Sequence, residues 1–219
     1  KFQTFITEDI IIENAKKANY QINKKNEKET QFSMLKKLEL SQSDFKILYK
    51  YCKKIDIKFL STAFDLKSLH LINSFKPDYL KIPSGEITNF QLIKEMAKFK
   101  RKIILSTGMS TLKEVNDTLR FLIKHGVYKN DITILHCNTE YPTPIEDVNL
   151  KAMISIAEEF SCKIGYSDHT LGFGISLAAA SKRICILEKH FTLDKKMVGW
   201  DHEVSATPDE LRIICKESK

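Results

Sequence analysis

Short runs of β-branched and aliphatic residues recur along the chain and alternate with amphipathic segments. Successive runs after the first two lie about 20 to 30 residues apart, which is the length of one strand plus one helix. The runs cover residues 1–5, 58–64, 79–84, 102–107, 132–137, 163–167 and 184–190. This alternation predicts a parallel sheet, either open and doubly wound or closed as a (β/α)8 barrel.

The helix between the fourth and fifth runs has the clearest signals. Thr111 and Glu114 form the T-x-x-E pattern of a capping box, and Gly126 follows the last residue of the apolar face. We therefore expect a helix over 111–125.

The region between the first two runs is long and polar. Ser41 or Ser43 is expected to cap a helix that continues to about Lys53, and residues 7–30 are predicted to be a long loop after the first strand. Residues 1–58 hold 13 lysines and 8 acidic residues, and thus +5 of the net charge of +7. A solvated loop explains this charge better than a nucleic-acid site, because no basic stripe with interleaved aromatic residues is present.

Polar residues at the ends of the runs distinguish the two sheet types. An open dinucleotide-binding sheet would carry a G-x-G-x-x-G turn after one strand, and the chain has no such turn. A barrel instead takes polar residues from the carboxyl end of nearly every strand. Such residues are Lys1, Gln3, Ser61, Thr62, Lys81, Ser84, Glu86, Ser106, Thr107, His136, Asn138, Glu140, Ser167, Asp168, His169, Glu188 and His190.

We therefore predict a single TIM-barrel catalytic domain over 1–219. Seven strands are one short of closure, so the first strand of the barrel is expected to precede Lys1.

Composition excludes several classes of protein. The chain is 42% hydrophobic, which suits a folded domain, and it lacks the run of about 18 apolar residues that a membrane span needs. The N-terminal residues have no apolar signal core, and the five cysteines form no C-x-x-C pair. Reduced thiols in the cytoplasm are expected, with no membrane or nucleic-acid partner.

An anion site is predicted above the middle strands. Lys81 and Ser84 belong to a strand that ends in Pro-Ser-Gly, and Ser106 and Ser167 end two further strands. An ammonium group, hydroxyls and exposed turn N–H groups together suit a phosphate or a carboxylate. Taken singly, each residue is more often a turn residue or a surface charge.

A metal site is predicted from two histidines. His169 and His190 end consecutive strands, which lie about 4.8 Å apart in a sheet, so both imidazoles can reach one divalent ion. Neither strand end carries a cysteine, which favours Mn²⁺ or Mg²⁺ over a closed zinc site. A single histidine of this kind is more often a hydrogen-bonded core or surface residue.

Two loops have the chemistry of a polyol site. Tyr141 precedes a Pro-Thr-Pro segment and can present an aromatic face and a hydroxyl, and Asp201 follows the chain's only tryptophan, Trp200. A rigid connector and an ordinary loop are the alternative interpretations.

Eight segments together identify a family. In chain order they are KFQTF, KIPSGEITN, ILSTGMST, LHCNTEYPTP, EDVNL, GYSDHTLG, EKHFTLDK and DHEVSATPDEL. The chain resembles the barrel domain of the sialic acid synthase (N-acetylneuraminate synthase) family from Lys1 to about Leu211.

The resemblance implies an activity. Such enzymes condense phosphoenolpyruvate with N-acetylmannosamine or a related amino sugar, using Mn²⁺ or Mg²⁺, to give a nine-carbon 2-keto sugar acid and phosphate through C–O cleavage. Legionaminate, pseudaminate and spore-coat polysaccharide synthases share the motifs, so the acceptor stays open.

The resemblance also implies residue roles. The metal ligands are His169 and His190. The phosphoenolpyruvate-binding residues are Lys1, Lys81, Ser84, Ser106, Asn138, Thr139 and Ser167. The sugar-binding residues are Gln3, Tyr141 and Asp201. Glu86, Lys81 and Lys1 are the expected catalytic residues, with Glu86 handling or orienting a proton and the lysines facing the phosphate.

Two features of the family are expected to lie outside these residues. They are a first strand with a further glutamate and a C-terminal antifreeze-like domain that swaps within a homodimer and lends an arginine to the sugar pocket. A catalytically inactive barrel that binds a phosphorylated metabolite is therefore one alternative. A metal-dependent aldolase that forms no Schiff base is a weaker one, and borohydride trapping with pyruvate would reveal an imine if Lys81 formed one.

Overall fold

A parallel sheet with helices around it forms the framework of the chain. The computed structural model describes residues 1–17, 29–197, 199 and 201–218. The strands are β1 (Phe2–Thr4), β2 (Ser61–Ala63), β3 (Tyr79–Ile82), β4 (Lys102–Ser106), β5 (Ile132–Cys137), β6 (Lys163–Asp168) and β7 (Ile186–Lys189). The α-helices are α1 (Thr7–Ile10), α2 (Gln31–Leu38), α3 (Gln42–Lys54), α4 (Leu66–Ser74), α5 (Phe90–Lys98), α6 (Leu112–Lys124), α7 (Lys151–Phe160), α8 (Gly174–Ala180) and α9 (Pro208–Glu217). Single 3-10 turns occupy Ser84–Glu86, Lys129–Asp131 and Ile145–Asp147.

The strands pair in the order in which they occur along the chain. Within the described residues all seven form one sheet of order β1 to β7, and every pair is parallel. The predicted strand–helix alternation is thus confirmed, although β2 and β7 are shorter than the runs over 58–64 and 184–190. Parallel pairing of neighbours places the carboxyl ends of all strands at one edge of the sheet.

Alternation along the middle strands separates a core face from a site face. Ile82 and Leu105, paired across β3 and β4, belong to a buried apolar cluster that includes residues of α5 and α6. Lys81 and its paired residue Ile104 lie between such positions, so their side chains point to the other face. Strand periodicity therefore directs Lys81 away from the helices and into the concave side of the sheet.

The sheet curls until its first and last strands face the same space. Nζ of Lys1, just before β1, lies 2.6 Å from Oε2 of Glu188 in β7. Lys81 of β3 reaches the same carboxylate, with 3.6 Å between its Nζ and Oε1 of Glu188. Within the described residues β1 and β7 do not pair with each other. The parallel α/β class is confirmed, while closure as an eight-stranded barrel stays a prediction.

Helix caps follow the sequence signals closely. Helix α6 begins with the predicted capping box of Thr111 and Glu114, and Gly126 follows its end with a φ of 90°. Ser41, rather than Ser43, caps α3 through a second box with Asp44. Glycine suits the residue after α6 because a positive φ carries little steric cost without a Cβ.

The prediction of a loop over 7–30 is wrong at its start. Residues Thr7–Ile10 form α1, because the Thr7 N–H and hydroxyl donate to Oε2 of Glu39 at 2.9 and 2.6 Å. Thr30 caps the next helix, and residues 18–28 of the predicted loop lie outside the described part of the chain.

Two further predictions concern membranes and cysteines. In the described ranges, no helix combines the length and the apolar character that a bilayer crossing requires. All five cysteines are free thiols, with Cys52 and Cys137 buried.

Strand β6 lies unusually close to both of its neighbours, β5 and β7, at Gly165. A Cβ on Gly165 would meet the carbonyl oxygen of Ile186 and a methyl group of Leu135 at distances that non-bonded atoms do not reach. The hydrogen at this position allows the three strands to approach each other just below the ends that carry the site.

Candidate active site

The first part of the candidate site is a group of charged and hydroxyl side chains that we call the lysine cluster: Lys1, Lys81, Ser106, Ser167 and Glu188. Nζ of Lys81 donates a hydrogen bond of 2.7 Å to Oγ of Ser106, and the Lys81 side chain is only 3% exposed. Burial lowers the pKa of Lys81 to about 8, although the nearby Glu188 carboxylate favours the charged form.

Glu188 is the residue that joins the lysine cluster. Its carboxylate accepts hydrogen bonds from Nζ of Lys1 at 2.6 Å and from Oγ of Ser167 at 3.0 Å. Burial alone would raise the pKa of Glu188, but the charges of Lys81 and Lys1 outweigh it and lower the pKa to about 2. Two ammonium groups thus share one carboxylate, which leaves an excess of positive charge for an anionic ligand.

The sequence predicts Glu188 only as a polar residue near a strand end and misses its place in the site. The feature that places Glu188 in the site is its pairing in the sheet with Ser167, a candidate residue on the preceding strand. The ion pairs with Lys1 and Lys81 follow from the curl of the sheet, which the sequence pattern does not contain.

The second part of the site is the imidazole cluster: Tyr141, His169, His190 and Asp201. The two imidazole centroids lie 5.5 Å apart, and the Tyr141 ring stacks on His169 with 4.1 Å between centroids. Nδ1 of His190 lies 3.6 Å from Oδ2 of Asp201. Burial lowers the pKa of His190, and Asp201 opposes this shift.

The hydrogen bonds of His169 determine its tautomer. Nδ1 lies 2.6 Å from the carbonyl oxygen of Asn138, and because a carbonyl only accepts, Nδ1 carries the proton. Nε2 then accepts from the Tyr141 hydroxyl at 3.0 Å. Burial lowers the pKa of His169 to about 4, although the Asn138 carbonyl favours the charged form. At neutral pH His169 therefore presents a lone pair on Nε2.

This arrangement fits the chemistry of a metal ligand. Metal-binding imidazoles commonly donate their other N–H to a backbone carbonyl, as His169 does to Asn138. Within the ranges that the structure describes, no three His, Cys, Asp or Glu side chains are grouped as a complete ligand set. A cation held by His169 and His190 would need water or substrate oxygens for its other positions.

The two clusters are adjacent. Oγ of Ser167 lies 3.4 Å from Nε2 of His169 and also donates to Glu188. An anion held by the lysines would therefore lie next to the imidazole pair.

Three predicted phosphoenolpyruvate-binding residues, Ser84, Asn138 and Thr139, follow the ends of β3 and β5. A Cβ on Gly108 would lie 2.6 Å from Oγ of Ser84 and 2.9 Å from Cγ2 of Thr139, so these two loops meet at Gly108. The Asn138 side chain accepts from the N–H of Glu140 at 2.7 Å and shapes its own turn. Its carbonyl, rather than its amide, is the group that contacts the imidazole cluster.

Glu86 and Gln3 form no hydrogen bond or ion pair with either cluster in the described part of the chain. Glu86 accepts a hydrogen bond of 2.7 Å from Nδ2 of Asn89, at the start of α5. Gln3 is exposed in the middle of β1, and Lys1 precedes that strand, so their predicted place at its carboxyl end is wrong. Lys1 reaches the site because its long side chain extends to Glu188. Trp200 lies outside the described residues.

Comparison with known proteins supplies the family. The model of the NeuB family matches residues 1–219. Proteins named N,N'-diacetyllegionaminic acid synthase are similar to this chain: that of Campylobacter jejuni is 49% identical over 217 residues and that of Legionella pneumophila is 42% identical over 219. Each alignment covers 99% of this chain, which spans 65% and 61% of the two relatives.

Solved structures agree with these matches. The crystal structure of N-acetylneuraminic acid (sialic acid) synthetase from Leptospira borgpetersenii is 29% identical with a TM-score of 0.82, covering 99% of this chain and 70% of that one. The structure of spore coat polysaccharide biosynthesis protein SpsE from Bacillus subtilis has the same TM-score at 31% identity. The match covers 99% of this chain and 57% of the SpsE chain. The family resemblance found in the motifs is confirmed, and the chain belongs to the NeuB family.

Proposed function

We propose that the protein condenses phosphoenolpyruvate with the open-chain form of an N-acetylated amino sugar. The C3 carbon of phosphoenolpyruvate forms a bond to the aldehyde carbon, water adds at C2, and phosphate leaves with cleavage of its C–O bond. The products are a nine-carbon 2-keto sugar acid and inorganic phosphate. The observation that carries this proposal is the contact of the lysine cluster, through Ser167, with the buried His169 of the imidazole pair.

The lysine cluster supports binding of phosphoenolpyruvate. Lys81 and Lys1 share the single carboxylate of Glu188, so a ligand with both a phosphate and a carboxylate can replace Glu188 as their partner. Oγ of Ser106 already contacts the Lys81 ammonium and can donate to the same anion. Fixed positive charges also stabilise the phosphate as it leaves, by several kcal/mol in a closed site.

The imidazole cluster supports activation of the acceptor. Mn²⁺ or Mg²⁺ held by His169 and His190 would act as a Lewis acid toward the aldehyde oxygen. The Asn138 carbonyl orients the His169 ring, and Tyr141 and Asp201 flank the pair with a hydroxyl and a carboxylate that suit sugar hydroxyls. Glu86 is proposed as the proton-handling residue on the family resemblance alone, because its carboxylate accepts from Asn89 rather than from either cluster.

The names of the relatives guide the choice of acceptor. Two relatives at 49% and 42% identity are named N,N'-diacetyllegionaminic acid synthase. We therefore propose a 2,4-diacetamido sugar as the first candidate. N-acetylmannosamine is the second, because a solved structure at 29% identity is named N-acetylneuraminic acid (sialic acid) synthetase.

Three broader features belong to the same proposal. They are closure of the sheet by an eighth strand between β1 and β7, a homodimer, and a cytoplasmic location. The ion pair between Lys1 and Glu188 supports closure, because it brings the two open edges of the sheet toward one space.

Phosphate release tests the reaction. With phosphoenolpyruvate, Mn²⁺ and a panel of 2-acetamido and 2,4-diacetamido hexoses, we expect release with one acceptor. A His169→Ala variant should lose at least about 100-fold of this activity, because one predicted metal ligand is removed. A matched His70→Ala variant, changed at an exposed histidine, should keep it. Release that persists without a divalent metal, or in the His169→Ala variant, would contradict the proposal.

The pH dependence should report on Lys81. Its pKa of about 8 in the free protein means that the ammonium is charged below pH 8 and loses its charge above it. We therefore expect kcat/KM for phosphoenolpyruvate to fall as the pH rises through about 8. In a Lys81→Arg variant this decline should move to much higher pH, because a guanidinium stays charged. An unchanged decline in that variant would assign it to another group.

A further inference from the structure

A buried ion pair lies directly beneath the imidazole cluster and takes no part in the proposed reaction. Asp168 ends β6 and Lys189 ends β7, and the two are paired in the sheet register. Nζ of Lys189 lies 3.0 Å from Oδ2 of Asp168, and the two side chains are 4% and 0% exposed. Burying two charges is costly unless other hydrogen bonds satisfy them, so their partners determine what the pair does.

The Asp168 carboxylate is fully occupied by donors. Oδ1 accepts from the N–H and the hydroxyl of Thr170, at 2.9 and 2.8 Å. Oδ2 accepts from Lys189 and from the hydroxyl of Ser176 in α8. A carboxylate with four donors and no exposed surface has no free site for a ligand. Its effect is therefore to hold the surrounding backbone.

Lys189 completes this arrangement on both sides of His169. Besides Asp168, its Nζ donates to the carbonyl oxygen of Thr170 at 2.9 Å. The residues before and after His169 are thus both tied to Lys189, and Lys189 itself immediately precedes His190. One ammonium group fixes the backbone on both sides of the first imidazole and next to the second.

The Tyr141 ring contacts both imidazoles, stacking on His169 and meeting His190 edge-on with 5.7 Å between centroids. The Asn138 carbonyl also orients the His169 ring, and Nδ1 of His190 lies 3.6 Å from the half-exposed Asp201. These contacts orient the rings, whereas the backbone at the ends of β6 and β7 sets the positions from which the two side chains extend, and the 5.5 Å between the ring centroids depends on both.

We propose that Asp168 and Lys189 are positioning residues that set the spacing of His169 and His190 for one divalent cation. This inference rests on the proposed function, because it takes the two histidines as the metal ligands. It adds that the affinity for the cation depends on a pair of residues that never touches it.

The test measures Mn²⁺ binding to the whole chain from the electron paramagnetic resonance signal of the free ion. A Lys189→Met variant removes the ties to Asp168 and Thr170 but leaves both imidazoles in place. We expect its Kd for Mn²⁺ to rise about 10-fold to 100-fold. Inorganic phosphate, measured without metal, should bind within about threefold of the unchanged protein, because Lys81 and Ser106 are intact.

A matched variant separates positioning from general stability. Lys195, on the chain after β7, forms an ion pair of 2.7 Å with Glu210 of α9. Lys195→Met should leave the affinity for Mn²⁺ unchanged. If Lys189→Met does not fold, the double variant Asp168→Asn with Lys189→Met takes its place, since it buries no charge, and the same rise in Kd is expected.

The outcomes also separate this inference from the proposed function. If His169→Ala weakens Mn²⁺ binding while the Lys189 variant does not, the positioning role is refuted and the metal site stands. If His169→Ala leaves Mn²⁺ binding unchanged, the metal assignment fails, and the positioning role fails with it.

Discussion

Replacing Lys81 by methionine is expected to reduce phosphate release from phosphoenolpyruvate by on the order of 10³-fold. The variant removes the more deeply buried of the two ammonium groups that share Glu188. It also leaves the Glu188 carboxylate paired with Lys1 alone, so the excess of positive charge in the lysine cluster disappears. Both effects weaken the binding of the substrate anion and the stabilisation of the leaving phosphate.

Steady-state kinetics with phosphoenolpyruvate as the varied substrate measure this loss. Lys163→Met is the matched control, because Lys163 is exposed at the opposite end of the sheet, and it should change the rate less than about twofold. A Lys81→Met variant that keeps a tenth or more of the activity would remove Lys81 from the proposed anion site. Borohydride trapping with pyruvate should leave Lys81 unmodified, since the proposed reaction forms no imine.

Replacing Gly165 by alanine is expected to lower the free energy of unfolding by about 3 kcal/mol. The added methyl group would meet the Ile186 carbonyl and the Leu135 side chain, and the carbonyl belongs to a paired strand that cannot move alone. For a chain of this length such a loss corresponds to a Tm lower by about 6 to 12 °C.

Thermal unfolding followed by circular dichroism measures this change, with Gly174→Ala as the control. Gly174 begins α8, and a Cβ there would meet no atom within 4 Å. The control should be neutral or slightly stabilising, because alanine reduces the entropy of the unfolded chain. Equal Tm values for the two variants would show that β6 and β7 separate easily at Gly165.

The strands were predictable because each buried run is short, β-branched and bounded by polar residues. Residues Ile132–Cys137 match their run exactly, and the capping box at Thr111 fixes the start of α6. Helix α1 was not predictable, since it depends on Glu39, a residue about 30 positions later that accepts from Thr7. The hydrophobic and polar pattern of a segment predicts the structure of that segment only. It does not predict a contact between two residues about 30 positions apart, such as Thr7 and Glu39.

The site was predictable in its residues but not in its connections. His169 and His190 stand out because each follows or ends an apolar run, and Lys81 stands out as a charged residue within one. The role of Glu188 depends on the curl of the sheet, which brings the last strand opposite β3 and next to Lys1. Asp168 and Lys189 were visible as charged residues at strand ends, but only their burial separates a structural pair from two surface charges.

The ion pair between Lys1 and Glu188 also has a consequence for folding kinetics. Every strand pair joins neighbours along the chain, so the sheet can grow by closing one loop at a time. The Lys1–Glu188 contact spans 187 residues and requires the last strand, so it forms late. A folding intermediate without β7 would hold Lys81 without its carboxylate partner. The ion pair that links the two edges of the sheet would therefore follow the final step of folding rather than the collapse of the core.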